Sequence, residues 1–367
     1  MANAMRSDGA PLWSMRDADW LARWGNELDN VRAALDWSQR HDGTLFVTLM
    51  GASQGLFRLR DVGFELRERA QSMDVDTVAR TPLELQTCYW LSLAFLQAGV
   101  SSRAMYEFSR LAEQLARGTG DRRTLYLALC QRGISGLVRR NEAASLLQEV
   151  VSLEWAARTA RERAQRRAAE FVIYSSDARW EQALAAAEAG FALAVEAGTR
   201  LVQGVCGNWI VLALLNLGDV EAATRRSRQL RPFVALGPIS MTIQFVGKCA
   251  RCAFMQGDLE TARQQLAQMF TMCRSVAWQG FDSFGDLYVQ LVLAEGRPDD
   301  AARLLGYASA MSRPIWHAPQ SDASLDGARR LLVSGTSEEC VRRLCAEGDG
   351  LSRDAVCALV LGDMPEP

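Results

Sequence analysis

Apolar side chains recur at three- and four-residue spacing along most of the chain, the pattern of helices that bury one stripe. Two kinds of stretch alternate. Cys88 to Gln97, Asn208 to Leu217 and Leu287 to Glu295 are strongly apolar and predict deeply buried helices. Arg103 to Leu115, Glu221 to Leu230 and Leu259 to Met269 are more amphipathic and predict helices with one solvated face. No run of alternating β-branched residues is bounded by turn dipeptides, so strands are not expected.

A recurring punctuation separates the two kinds. In Leu217-Gly218-Asp219-Val220-Glu221-Ala222-Ala223, glycine ends the first helix, where its tolerance of positive φ suits a C-cap. Ala223 follows five residues later, inside the second helix. The same pattern recurs at Gly257 with Ala262, Gly296 with Ala301 and Gly99 with Ala104. With glycine replaced, it recurs at Arg139 with Ala144 and at Ala178 with Ala183. The turns at 99, 139, 178, 218, 257 and 296 are separated by 40, 39, 40, 39 and 39 residues. A small residue at the second position lets two helix axes approach closely. The expected product is an all-α helical solenoid whose repeats bury their faces against their neighbours. Its expected layout is a flexible leader over 1–16, entry helices over 17–81 and six helix pairs over 82–310. A loop over 311–322 and closing helices with a tail over 323–367 complete it.

The spacing from turn glycine to alanine resembles the tetratricopeptide repeat (TPR), whose short form has a period of about 34 residues. A period of 39–40 residues is similar to the longer units in the C-terminal arrays of large bacterial ATP-dependent transcription regulators. HEAT units, at about 40 to 47 residues, are the alternative at the level of fold. Both ends carry the resemblance further. Glu27-Leu28-Asp29-Asn30-Val31-Arg32-Ala33-Ala34-Leu35-Asp36-Trp37 resembles the helix that follows the nucleotide-binding module in those regulators. Ala302-Arg303-Leu304-Leu305-Gly306, with Cys345-Ala346-Glu347-Gly348 and Leu351 to Val356, resembles their closing segment.

The resemblance implies a right-handed superhelix of TPR-like pairs that binds a protein or peptide partner, or a small-molecule effector. In full-length relatives the array is joined to ATPase and DNA-binding modules. Neither module is legible here: the one Gly-Lys pair, Gly247-Lys248, is followed by Cys249 inside an apparent helix rather than by a P-loop hydroxyl. No segment reads as a helix-turn-helix with a basic recognition helix. The expectation is a non-enzymatic sensor array, with a standalone scaffold as the alternative.

Composition agrees with recognition rather than chemistry. Of 367 residues, 49% are apolar and 23% charged, with 41 basic against 43 acidic side chains, which excludes wholesale disorder. The near-neutral balance offers no drive toward nucleic acid or an anionic membrane. The longest apolar runs are seven residues, as at Trp209 to Leu215, against the roughly 20 that span a bilayer. Residues 1–16 lack the apolar core of a secretory signal. Nine cysteines lie mostly inside apolar helical patterns, as reduced thiols of a cytoplasmic protein would. Two histidines, His41 and His317, are too few for the common imidazole-based chemistries, and no metal or cofactor is expected.

Several residues nonetheless bear chemistry. Cys249 and Cys252 form a lone C-x-x-C; in mid-helix without a second pair it reads as packing more than as zinc or redox chemistry. His317 falls in a loop, and His41 at a helix C-terminus complements the dipole. Arg158, Arg161, Arg163, Arg166 and Arg167, interleaved with acids, read as a solvated helix face. Trp20, Trp24 and Trp37 share helical spacing and read as core. Repeat phasing in the manner of the TPR places Gln86, Tyr89, Gln165, Asn208, Asn216, Gln244, Arg251, Asp286 and Gln290 on the concave, ligand-facing side. Amides with one arginine suit hydrogen bonding to a peptide or polar small molecule.

Overall fold

The computed structural model describes residues 13–235, 239–274, 279–311 and 319–362, and all regular elements among them are helical. The entry helices are α1 (Asp17–Trp24), α2 (Leu28–His41), α3 (Gly43–Leu59), α4 (Gly63–Gln71) and α5 (Val75–Ala79). Six pairs follow: α6 (Leu83–Leu96) with α7 (Ser102–Thr119), α8 (Arg122–Ile134) with α9 (Arg140–Ser152), and α10 (Ala160–Ser176) with α11 (Trp180–Glu196). Then come α12 (Arg200–Asn216) with α13 (Val220–Val234), α14 (Ile239–Met255) with α15 (Leu259–Arg274), and α16 (Gly285–Ala294) with α17 (Pro298–Met311). The closing helices are α18 (Pro319–Gly335), α19 (Glu338–Gly348) and α20 (Arg353–Leu361), so they begin earlier than expected. The chain forms two compact units, Met1–Trp209 and Ile210–Pro367, divided within α12.

In the first unit, α6 packs on α7 and back on α3, α8 packs on α6, α7, α9 and α10, and α10 packs on α11. Trp20, Leu35, Phe46 and Phe57 are fully buried among the entry helices, and Leu125, Tyr126 and Leu129 between the pairs. The second unit repeats the scheme: α14 packs on α13 and α15, α16 on α17 and α18, and α17 on α19. Phe270, Phe281 and Tyr288 pack their rings together at its centre, with centroids 5.2 to 5.4 Å apart.

The punctuation has a common geometry. Gly218, Gly257 and Gly296 have φ of 78°, 79° and 77°. In each case the next amide closes a six-to-one hydrogen bond on the preceding helix: Asp219 to the Leu214 carbonyl, Asp258 to Ala253 and Arg297 to Val292. The aspartate after the glycine then caps the second helix, Asp219 accepting from the Ala222 amide and Asp258 from the Thr261 amide, each at 2.9 Å. Ala183, Ala223, Ala262 and Ala301 are fully buried four residues after their caps.

Two turns depart from the expected register. The left-handed residue before α9 is Gly136, with φ 73°, rather than Arg139, which is extended and serves as N-cap. Ala144 is therefore exposed, and Ala143 takes the buried position. The turn at Gly99 is one residue longer and capped by Ser101, so Met105 is buried where Ala104 was expected and Ala104 is half-buried. Ala178 holds the left-handed turn without glycine, at φ 56°.

The two closing motifs that carried the resemblance at the C-terminus lie against each other. A Cβ on Gly306 of α17 would overlap the Cys345 carbonyl, and one on Gly348 of α19 would overlap the Arg303 carbonyl. The Cys345 thiol donates to the Ala302 carbonyl at 3.3 Å, and Arg303 pairs with Glu347 at 3.1 Å. Glycine is thus required twice by backbone-to-backbone contact.

Backbone strain at one turn predicts a stabilising change. A non-glycine residue in the left-handed region costs about 1 kcal/mol or slightly more, so Ala178→Gly should raise stability by roughly 0.5–1 kcal/mol once glycine's larger unfolded-state entropy is deducted. Gly218→Ala should lower it by a similar amount, roughly 0.5–1 kcal/mol, through the backbone alone, because a Cβ there meets nothing within 4 Å. Urea midpoints at constant m-value would check both signs.

Candidate partner-binding surface

The nine residues expected to face a ligand are placed one by one. In the first unit, Gln86 donates to the Ala79 and Thr81 carbonyls at 3.1 and 2.7 Å and so ties α6 to the segment before it. Tyr89 is buried edge-on against Trp90, its ring centroid 5.1 Å away, and burial pushes its phenol up to about 12. Gln165 of α10 accepts from Gln131 of α8 at 3.0 Å, and Asn208 is buried. In the second unit, the Asn216 amide donates to the Leu212 carbonyl at 2.8 Å, and Gln244 is half-buried on α14. Arg251 of α14 and Asp286 of α16 form a bidentate pair at 2.7 and 2.8 Å, with Asp286 buried. Gln290 of α16 donates to Ser324 of α18.

These contacts share a physical origin. First helices of successive pairs lie side by side, so polar groups 34 or 35 residues apart meet across them, as in Gln131–Gln165 and Arg251–Asp286, and the closing helix α18 meets α16 in the same way through Gln290–Ser324. Second helices do the same through Arg117–Glu149 at 2.8 Å and Arg231–Gln265 at 3.3 Å. Arg251 and Asp286, two of the nine, are brought together as partners. A ligand using Gln86, Gln165, Asn216 or Gln290 would have to exchange with hydrogen bonds already made.

Other expectations need correcting. The arginine run is not simply a solvated face: Arg161 is only 7% exposed and pairs with Asp17. Arg166 pairs with Glu170 at 2.7 Å and with Glu154, and Arg167 with Glu170 at 2.8 Å. Trp20 and Trp24 are core residues, but Trp37 is 52% exposed and stacks on His41, whose Nδ1 lies 2.8 Å from the Trp37 carbonyl oxygen. His317 lies outside the described residues, as do residues 1–12 of the leader.

Cys249 and Cys252 are buried in α14, and desolvation raises both thiols, Cys252 to about 11. They are therefore protonated at neutral pH, unlike reactive or metal-ligating thiolates. Among the described residues no cluster of three or more His, Cys, Asp or Glu is placed to hold a metal ion. Next to this pair Lys248 is buried, and desolvation pushes its ammonium down to about 7. Sequence inspection gave Lys248 no role, since its helical register alone does not place it inside.

The most developed polar site of the first unit was also missed. Residues 13–16, expected to belong to the flexible leader, run onto the helix pairs. Trp13 packs on Phe95 of α6 with centroids 5.5 Å apart, and Arg58 of α3 lies over the same Phe95 ring. Arg161 donates to the Met15 carbonyl at 3.2 Å and to the Asp17 carboxylate. The other Asp17 oxygen accepts from the Arg200 amide at the start of α12, at 2.7 Å, and the Asp17 amide donates to the Gly198 carbonyl at 3.2 Å. Gly198 has φ 63°, and a Cβ on it would press into the Arg16 side chain. No local sequence signal links Asp17 to Arg161, because 144 residues separate them.

No family model matches the chain, and no curated protein matches it. No helix is long and apolar enough to cross a membrane among the described residues.

The Lys248 environment predicts a pH signature. A lysine near 10.4 when unfolded and lowered on folding makes the unfolded chain bind more protons between about pH 7 and 10. The folded state therefore gains stability as pH rises through that window. Relative to Lys248→Met, which removes the linkage, the native chain should gain up to about 1.4 kcal/mol per pH unit. Urea unfolding of both proteins at pH 7 and pH 9 checks this; parallel curves would show that Lys248 stays hydrated.

Proposed function

We propose that the chain is a non-enzymatic sensor and protein-interaction array of a bacterial transcriptional regulator, working in the cytoplasm. The observation that carries this reading is the helix pair closed by a left-handed residue and sealed by a buried alanine, repeated at 39- to 40-residue spacing. Its four in-register copies end at Ala183, Ala223, Ala262 and Ala301. The interlocked glycines at 306 and 348 add support, since they give the two closing motifs of the resemblance a shared structural reason. Stacked helix pairs offer extended polar surface and few enclosed cavities, which suits partner recognition better than turnover.

In this reading an effector or partner binds along the first helices within one unit and competes for groups such as Gln165 in the first unit or Arg251 in the second. Exchanging the bonds between adjacent helices alters their spacing, and in a longer regulator that change would bias an attached ATPase by population shift. The alternative is a standalone scaffold that binds a peptide or protein with no transcriptional role.

A thermal-shift screen of metabolites and peptides against the full chain tests the sensor reading. A true ligand at 100 times its Kd should add about 2.7 kcal/mol of stability, and Arg251→Met or Gln165→Leu should weaken that gain. Transcript profiling after deletion of the gene separates the readings: altered transcripts support the regulator, and an unchanged profile leaves the scaffold. A screen without any stabilising ligand or partner would contradict both.

A further inference from the structure

We propose that the cleft holding Asp17 in the first unit is a binding site for an acidic peptide segment of a protein partner, occupied at rest by the chain's own residues 13–17. The proposal rests on the reading of the chain as a partner-binding array and gives it a location and a ligand chemistry.

The cleft treats residues 13–17 as a peptide ligand. Its contacts are one aromatic group (Trp13 on Phe95), two main-chain bonds (Arg161 to the Met15 carbonyl, the Asp17 amide to the Gly198 carbonyl) and one carboxylate. The pattern it reads is an aromatic residue followed four positions later by an acid. The receiving side is cationic: the Arg161 guanidinium and the Arg200 amide at the start of α12 both donate to the Asp17 carboxylate, and the Arg58 guanidinium lies nearby over Phe95. Arg161 is also incompletely satisfied, because its buried Nε has no hydrogen-bond partner. Burial lowers the Arg161 guanidinium and the Asp17 charge opposes that shift, as expected where the cation depends on its anion.

For the strap to leave, Met15 must come off the entry-helix core and the first turn of α1, which begins at Asp17, must open. Ser14, Arg16, Ala18 and Asp19 are exposed, whereas Trp20 and Trp24 anchor α1 in the core of the entry helices. Departure to an empty cleft is unfavourable, since it would strand a buried arginine. Departure in exchange for another carboxylate is not, and that asymmetry makes the site responsive to an acidic partner. A tethered segment competes at an effective concentration in the millimolar range, so loosening it should unmask binding in trans.

The test uses the full chain and a fluorescently labelled synthetic peptide with the sequence of residues 11–20, measured by anisotropy. Asp17→Asn and, as a milder change that keeps the ion pair, Trp13→Ala should each bind the peptide at least tenfold more tightly than the native chain. A peptide carrying Asp17→Asn should bind at least tenfold more weakly, and Arg161→Met in the Trp13→Ala background should abolish binding. Equal affinity of native and strap-weakened chains would overturn the proposal, as would binding indifferent to Arg161. So would no binding to a Trp13→Ala chain that still unfolds cooperatively. Those failures would leave a ligand found by the thermal-shift screen standing, so the site and the wider function fail separately.

Discussion

Reversal of the chain after each first helix, through a residue in left-handed conformation, is the constraint on which the structure depends. That residue lets the following amide reach back to the helix it has just left, so the last turn is capped and the second helix starts at a fixed angle. Gly218, Gly257 and Gly296 meet this requirement with φ near 78°. A buried alanine four residues beyond the next cap then sets how closely the two helices lie. Where the left-handed residue moves to Gly136, the buried position moves with the cap to Ala143. Turn and seal behave as one unit.

Within each unit a second regularity is built on the first. Once helix pairs repeat at nearly constant length, equivalent faces come side by side, and a polar residue meets one about a repeat away. Gln131 with Gln165 and Arg251 with Asp286 join first helices, Gln290 with Ser324 joins α16 to the closing helix α18, and Arg117 with Glu149 joins second helices. These bonds hold the helices in register along their axes, which apolar burial alone does poorly because it is not directional. On the proposed function, a partner using these groups would have to exchange with contacts already made, which would couple its binding to inter-helix geometry.

The fold was legible in the sequence because it is local. Helical periodicity, a glycine at four of the six expected turns and an alanine five residues later are short-range signals, and they located the helix pairs within a few residues. The register failed at Arg139, because two extra residues, Leu137 and Val138, separate the left-handed Gly136 from the N-cap, and at Gly99, because Val100 lengthens the turn. The surface was less legible. Phasing placed Arg251, Asp286 and Gln165 on first helices, but it could not tell that neighbouring helices would engage them. The Asp17 cleft was invisible for a stronger reason, since a contact across 144 residues leaves no periodicity and Arg161 reads locally as one of five arginines on a helix.

The most direct measurement on this account is a double-mutant cycle at the bidentate contact between α14 and α16, using Arg251→Met, Asp286→Leu and the pair in urea unfolding. If polar groups one repeat apart hold adjacent helices, the two changes should couple by about 1 kcal/mol or more. Arg251→Met, which strands the buried Asp286, should then cost more than the double variant, which leaves no buried carboxylate. Additive effects, with coupling below about 0.3 kcal/mol, would contradict the claim and leave apolar packing alone to hold the repeats together.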